Sequence, residues 1–194
     1  MTTNANTVAS TILAGKSTQA QESTAQAFAP SNIALVKYWG KRDCTLNLPC
    51  TNSLSVALGT MGATTKLDTA NTFNVILNNQ AVARESHLAQ GIITYLSMLG
   101  IKPDTLNITI NMNIPIAAGL ASSACGFASL IKTLDLLYKW GLSSAELSIL
   151  ARLGSGSASR SLWPGFVEWQ KGANSDGMDS HGIPLATTWP QCWH

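Results

Sequence analysis

Short stretches of polar groups stand out against an otherwise apolar chain. The first is Lys37-Tyr38-Trp39-Gly40-Lys41. Two ammonium groups and a phenol this close together suit a doubly charged phosphate group. In an extended segment Lys37 and Lys41 point one way and Tyr38 the other, unless Gly40 turns the chain. The alternative is a strand end with solvated lysines. The second stretch runs from Asn113 to Ala124 (NIPIAAGLASSA). Gly119 permits a turn that a β-carbon would obstruct, and Ser122 and Ser123 fall in the first turn of the helix that follows. Backbone N–H groups there lack intrahelical partners, so the helix start favours an anion such as phosphate. A serine-capped helix after an ordinary loop is the competing reading. In the third stretch, Gly154–Ser161 (GSGSASRS), glycines and hydroxyls surround one arginine. Arg160 offers a planar fork for a pair of carboxylate or phosphate oxygens. Composition alone also allows a flexible surface loop.

The elements that must position these groups follow from periodicity. Asn32–Trp39 is an apolar, partly β-branched run ended by a basic turn, Gly40–Asp43. Residues 53–58 and 63–67 read as two strands, with Gly59 and Gly62 in the turn between. Residues 73–77 and 81–83 flank Asn78-Asn79-Gln80 as a hairpin. Ser86 opens a helix to about Leu99, stopped by Gly100. Leu106–Met112 alternates apolar and polar residues as a strand, and the helix after Ser122 runs to Tyr138 with apolar residues at 124, 127, 131, 134 and 138. Ser143 and Glu146 form the pattern of a capping box for a further helix to about Leu153. A short strand at 166–170 and a polar, loop-like segment from Asp176 complete the chain. Strands come first and helices later, which predicts an α+β fold rather than repeated βαβ units.

Bulk composition narrows the function classes. Hydrophobic residues make up 45% of 194 and charged residues only 11%, against about 25% in an average domain. Such a surface commonly has something packed against it. A net charge of +2 without a Lys/Arg cluster argues against nucleic acid. No stretch approaches the ~18 uninterrupted apolar residues of a membrane span. Cys44, Cys50, Cys125 and Cys192 have neither zinc spacing nor the look of a disulfide framework, which implies a reducing, cytoplasmic setting. Cys125 reads as a small buried thiol. His87, His181 and His194 support no His–Ser–acid set, and Trp163, Trp169, Trp189 and Trp193 read as packing residues. Residues 1–24, rich in Thr, Ala, Ser, Gln and Asn, are expected to be a disordered tail, with a single domain over 25–194. Gly15-Lys16-Ser17 misses a P-loop because Ser10 stands where the pattern needs glycine.

Taken together, Ala29–Asp43 (APSNIALVKYWGKRD), Ala118–Ala124 and Gly154–Ser161 resemble the diphosphomevalonate decarboxylase family of the GHMP kinase superfamily. The resemblance extends from about 27 to 190 and includes Leu48-Pro49, Asn52–Ser55 and Asp176–Ser180. It implies a GHMP-kinase N-terminal domain, ribosomal protein S5 domain 2-like, with a two-layer arrangement of sheet and helices. It also implies ATP-dependent decarboxylation of mevalonate 5-diphosphate, with ATP and Mg2+, in a cytoplasmic homodimer. Carried over by position, Asn32, Tyr38, Lys41, Ser155, Ser157 and Arg160 bind substrate, and Lys37 and Arg160 serve catalysis. Gly119, Leu120, Ala121, Ser122 and Ser123 cradle the ATP phosphates, which are the main ligands of Mg2+; no residue is assigned to the metal, Ser122 being the one candidate. The family's catalytic aspartate comes from a second, C-terminal half and matches none of the acids here. The chain is therefore expected to be the N-terminal portion, with the C-terminal domain missing and catalysis incomplete. A different GHMP small-molecule kinase, or a binding module that keeps the phosphate loops without turnover, are the alternatives. Holding a carboxylate through Arg160 and Asn32 favours the decarboxylase.

Overall fold

The longest strand among the described residues is Ser53–Thr69, and the other strands of the main sheet are placed by it. The computed structural model describes residues 4–115 and 122–187. In chain order the elements are α1 (Ala5–Ile12), β1 (Thr24–Val36), β2 (Lys41–Asp43), β3 (Leu48–Pro49), β4 (Ser53–Thr69), β5 (Asn74–Leu77), β6 (Gln80–Val82), α2 (His87–Met98), β7 (Leu106–Met112), α3 (Ser122–Tyr138), α4 (Ser144–Gly154), β8 (Phe166–Trp169) and β9 (Gly182–Pro184). Single 3-10 turns form at Pro103–Thr105 and Gly156–Arg160. The expected α+β class is what the chain adopts.

β1 lies antiparallel along one edge of β4 over its whole length. The other edge is shared: β7 pairs with residues 63–69 and β8 with residues 53–56. β5 joins β7 in parallel, β6 and β9 close the two ends, and β2 with β3 form a separate small ribbon. Ala63, Thr65 and Leu67 of β4 and Leu106, Ile108 and Ile110 of β7 point into the core, the period-2 face that the helices cover. Buried Ala128, Ile131, Leu134 and Leu137 line the face that α3 turns to this core. Tyr95 joins two helices to α2, its hydroxyl donating to the Leu150 carbonyl at 2.9 Å and its ring meeting Phe127 edge-on at 5.0 Å. Near the end of β1, Ile33, Leu35 and Val36 remain exposed.

Helix boundaries follow the local signals closely. Ser86 caps α2, accepting from Ala89 N at 3.2 Å, and Gly100 takes the left-handed backbone beyond it. The Ser143–Glu146 capping box at α4 is complete.

Two expectations change, and one open alternative closes. The two strands over 53–67 are one continuous β4. Its register with β1 jumps from Pro30↔Gly62 to Asn32↔Ala57, so residues 58–61 bulge out, with Gly59 at φ +59° in place of a reversal. At Gly62 the backbone passes so close to the Ala29 carbonyl that no β-carbon fits. The serine- and glycine-rich stretch 156–160 is a largely buried 3-10 turn, which closes the flexible-loop alternative left open for it. The supposed disordered tail contains α1, whose Val8, Ala9 and Ile12 are buried in the core. Lys16 donates to the Trp140 carbonyl at 2.5 Å, and the Trp140 indole donates to Ser17 O at 2.8 Å. Low charge and a four-residue apolar stripe (Ala5, Val8, Ala9, Ile12) allow this docking; composition alone outweighed so short a stripe. Ile12→Ala is expected to lower the unfolding free energy by about 2–4 kcal/mol. Urea melts read by circular dichroism check this, because a tail lying off the fold would leave the midpoint unmoved.

Candidate functional site

β1 delivers Asn32 to the interior immediately after Pro30 and Ser31. Its Nδ2 donates to Ser161 Oγ at 2.6 Å and to the Ser157 carbonyl at 3.3 Å, so the amide orientation is fixed by the 3-10 turn. Oδ1 is thereby left facing Arg160, whose Nη2 lies 3.5 Å away, at the outer limit of a hydrogen bond. Arg160 Nη1 donates to Ser53 Oγ on β4 at 2.5 Å, and the guanidinium sits 5.9 Å from the Trp169 ring centre. The side chain is 3% exposed, yet no carboxylate pairs with it and its Nε has no hydrogen-bond partner among the described residues. Burial holds its pKa below the usual arginine value. A desolvated cation with a spare donor is a poor structural pair and a good receptor for an oxyanion.

The basic stretch sits against the same turn. β1 ends at Val36, and Gly40, at φ +71°, bends the chain into β2. Tyr38 is half-buried with its ring edge-on to Trp169 at 4.9 Å. A β-carbon at Gly156 would stand 3.1 Å from the Trp169 ring, tight enough that the ring would have to give way by a few tenths of an ångström, and in ordinary contact with the Tyr38 hydroxyl at 3.4 Å. Lys37 is exposed. Lys41 is also exposed, with Nζ on Asn47 Oδ1 at 2.7 Å.

α3 and α4 bring in the serines. Ser155 caps the C-terminus of α4, and its hydroxyl stands 3.4 Å from that of Ser123 in the first turn of α3. Ser155 and Ser157 are half-buried while Ala158, Ser159 and Arg160 are buried, so the turn shows its hydroxyls and hides its arginine stem. Beside Ser122 and Ser123 opens a cavity of about 260 Å³, walled by apolar side chains including Leu77, Ile92, Met112 and Phe127. Gly119, Leu120 and Ala121 lie outside the described residues.

The structure therefore gathers Asn32, Tyr38, Ser123, Ser155, Ser157 and Arg160 from distant parts of the chain. Lys37 and Lys41 lie on the segment that reaches this group but touch none of these side chains. Sequence reasoning missed Ser53 and Trp169 as parts of the site. Ser53 carried no local signal, and a strand tryptophan is normally packing. Among the described residues no three His, Cys, Asp or Glu side chains group to hold a metal. Asp43 accepts from Leu46 N at 2.8 Å, Glu168 from Asn52 at 2.9 Å and Asp179 from Ala173 N at 2.7 Å, which accounts for nearby acids.

Cys125 lies in the first turn of α3, where its Sγ donates to the Ser122 carbonyl at 3.3 Å. Burial pushes this thiol up to about 11. Because only the thiolate reacts, iodoacetamide at pH 8 is expected to label exposed Cys44 and Cys50 and to spare Cys125. The Cys125 rate should then climb about tenfold per pH unit toward its pKa. Peptide mapping that finds Cys125 labelled as fast as the other two at pH 8 would contradict this.

Comparison with known proteins points to one family. The profile of the diphosphomevalonate decarboxylase-like N-terminal domain matches residues 29–182. The diphosphomevalonate decarboxylase of Saccharomyces cerevisiae is 40% identical over 187 residues, which takes in 87% of this chain and 47% of the yeast protein. Among solved structures, the mevalonate diphosphate decarboxylase of Staphylococcus aureus gives a TM-score of 0.76 at 38% identity, over 84% of this chain and 50% of its own. That of Enterococcus faecalis, described for its mevalonate diphosphate mediated ATP binding, gives 0.70 at 30% identity over 84% and 51%. The chain spans about half the length of the relatives it matches.

Proposed function

This chain belongs to the diphosphomevalonate decarboxylase family, and on that premise we propose that it serves the ATP-dependent decarboxylation of mevalonate 5-diphosphate to isopentenyl diphosphate. The observation that carries the reading is Arg160: a guanidinium nearly out of water, steadied by Ser53 and Asn32, with Nε unengaged. A substrate carboxylate matches that donor set, and holding it is what separates decarboxylation from simple phosphorylation of a hydroxyl.

In this reading Tyr38, Lys41, Ser155 and Ser157 take the substrate diphosphate, and Arg160 takes its carboxylate, with Asn32 orienting the guanidinium. Ser122 and Ser123, with Gly119, Leu120 and Ala121, take the ATP phosphates at the start of α3, where unpaired N–H groups favour anions. The apolar cavity beside them suits the purine ring. Magnesium, when bound, would supply charge neutralisation between the phosphates, and Ser122 Oγ would share in holding it. The Ser123–Ser155 approach supports this reading, because ATP held at one serine would lie close to substrate held at the other, and with it to the tertiary hydroxyl that accepts the phosphoryl group.

The γ-phosphoryl group passes to the tertiary hydroxyl, ADP departs, and the hydroxyl proton goes to a base. The C–O bond between the tertiary carbon and the phosphorylated oxygen then breaks, and its electron pair leaves with phosphate. The C–C bond to the carboxylate supplies the electrons of the new double bond, and CO2 and inorganic phosphate leave. Lys37 stands beside the reacting hydroxyl and assists the acid that activates it. The acid itself is proposed to come from the half of the family's proteins that residues 1–194 do not span. The same proposal includes a cytoplasmic homodimer. Among the described residues no helix is long and apolar enough to cross a membrane.

Calorimetry with two ligands tests the assignment. Arg160→Gln is expected to weaken mevalonate 5-diphosphate binding about 10- to 100-fold and to leave inorganic diphosphate binding within about twofold. Equal losses for both ligands in a folded variant, or none for either, would overturn the carboxylate reading.

A further inference from the structure

Asn47 is one of four non-glycine residues with positive φ among the described residues, at +52° in the loop between β2 and β3. Its side chain makes contacts in two directions. Nδ2 donates to the carbonyls of Arg152 and Leu153, at 3.0 and 3.3 Å, in the last turn of α4. Oδ1 accepts from Lys41 Nζ at 2.7 Å. Helix-terminal carbonyls have no intrahelical donors, so Asn47 serves as a cap on α4 from outside the helix. Because both Nδ2 hydrogens are engaged by carbonyls, the amide cannot flip, and Oδ1 has to face the lysine.

The loop around Asn47 is itself held. Arg152, fully buried, donates through Nε to the Leu46 carbonyl at 3.1 Å and through Nη1 to the carbonyls of Gly177 and Ser180. Asp43 closes the other side by accepting from Leu46 N. Asn47 is therefore a fixed post, whereas Lys41 is a flexible stem on an exposed strand. The end of α4 to which Asn47 is tied leads within two residues to Ser155, the hydroxyl facing Ser123.

We infer that Asn47 is a positioning residue: it holds the Lys41 ammonium against the end of α4, so that Lys41 and the Ser155–Ser157 turn face one diphosphate. This rests on the reading of Lys41 as a diphosphate ligand. One ammonium hydrogen goes to Asn47, and the remaining two are free for phosphate oxygens. The negative end of the α4 dipole adds to the hold on the cation. Nothing in local sequence marks Asn47, because its partners lie 6, 105 and 106 residues away.

The test is a double-mutant cycle on the whole chain, read by calorimetric titration with inorganic diphosphate. Asn47→Gly keeps the left-handed backbone accessible and removes only the amide. It is expected to weaken binding about 2- to 10-fold when Lys41 is present, the effect of freeing one long side chain, and to change nothing in a Lys41→Ala background. An equal loss in both backgrounds overturns the inference, because a purely structural cap acts without regard to Lys41. The Lys41 ammonium signal in proton–nitrogen spectra gives a second reading that needs no ligand. It is expected to be protected from exchange, with an Overhauser contact to Asn47, and to lose both in Asn47→Gly. If the wild-type chain takes up no diphosphate, the functional reading falls and this signal alone decides; exchange as fast in wild type as in Asn47→Gly overturns the positioning role.

Discussion

A guanidinium buried without a carboxylate partner is the constraint around which the site is built. Removing a charge from water is costly, and a hydroxyl, a distant amide oxygen and the face of an indole compensate only in part. Arg160 nevertheless has a 3% exposed side chain between β1, β4 and β8. The arrangement persists because each neighbour is fixed by something else. Asn32 is locked by Ser157 and Ser161, Ser53 by the β4–β8 pairing, and Trp169 by its indole N–H, which donates to Ser180 Oγ at 3.2 Å. The strain of an unmatched cation is thus carried by a rigid frame. That frame presents a donor for an oxyanion with little reorganisation left to do.

The other groups proposed to bind anions need no strongly basic surface. Net charge is only +2, and selectivity comes from placement: two exposed lysines on one turn, hydroxyls at the ends of two helices, and helix-start N–H groups. Helix packing sets the spacing of the two proposed phosphate sites. α3 lies across the sheet, α4 packs against it, and their ends bring Ser123 and Ser155 together. A shift of either helix would separate the groups, which couples core packing directly to chemistry.

Much of the scaffold was legible because its signals are local. The Ser86 cap, the Ser143–Glu146 box and the alternation of Leu106–Met112 each act within a few residues, and each element formed where they placed it. The errors share a cause. Gly59 and Gly62 look like a turn, but pairing with β1 carries β4 through them as a bulge. The stretch 1–24 looks disordered by composition, but a few apolar residues at helical spacing found a surface on the core. For Gly154–Ser161 composition left a mobile loop open as the alternative, and packing under Tyr38 and Trp169 makes residues 156–160 a largely buried turn.

By itself the sequence determined the kinds of chemistry available: lysines and a phenol, a hydroxyl-rich helix start, and one arginine among glycines and serines. It also determined the α+β class, since the periodicities that specify strands and helices are written in neighbouring residues. Only the tertiary structure decided which donors are occupied and which are left for a ligand. Arg160 meets Ser53 from 107 residues away, Asn32 meets Ser161 across 129, and Asn47 reaches α4 across 105. Burial and hydrogen-bond satisfaction are properties of such non-local contacts, so no window of sequence could show that Arg160 Nε is unengaged or that Lys41 is held.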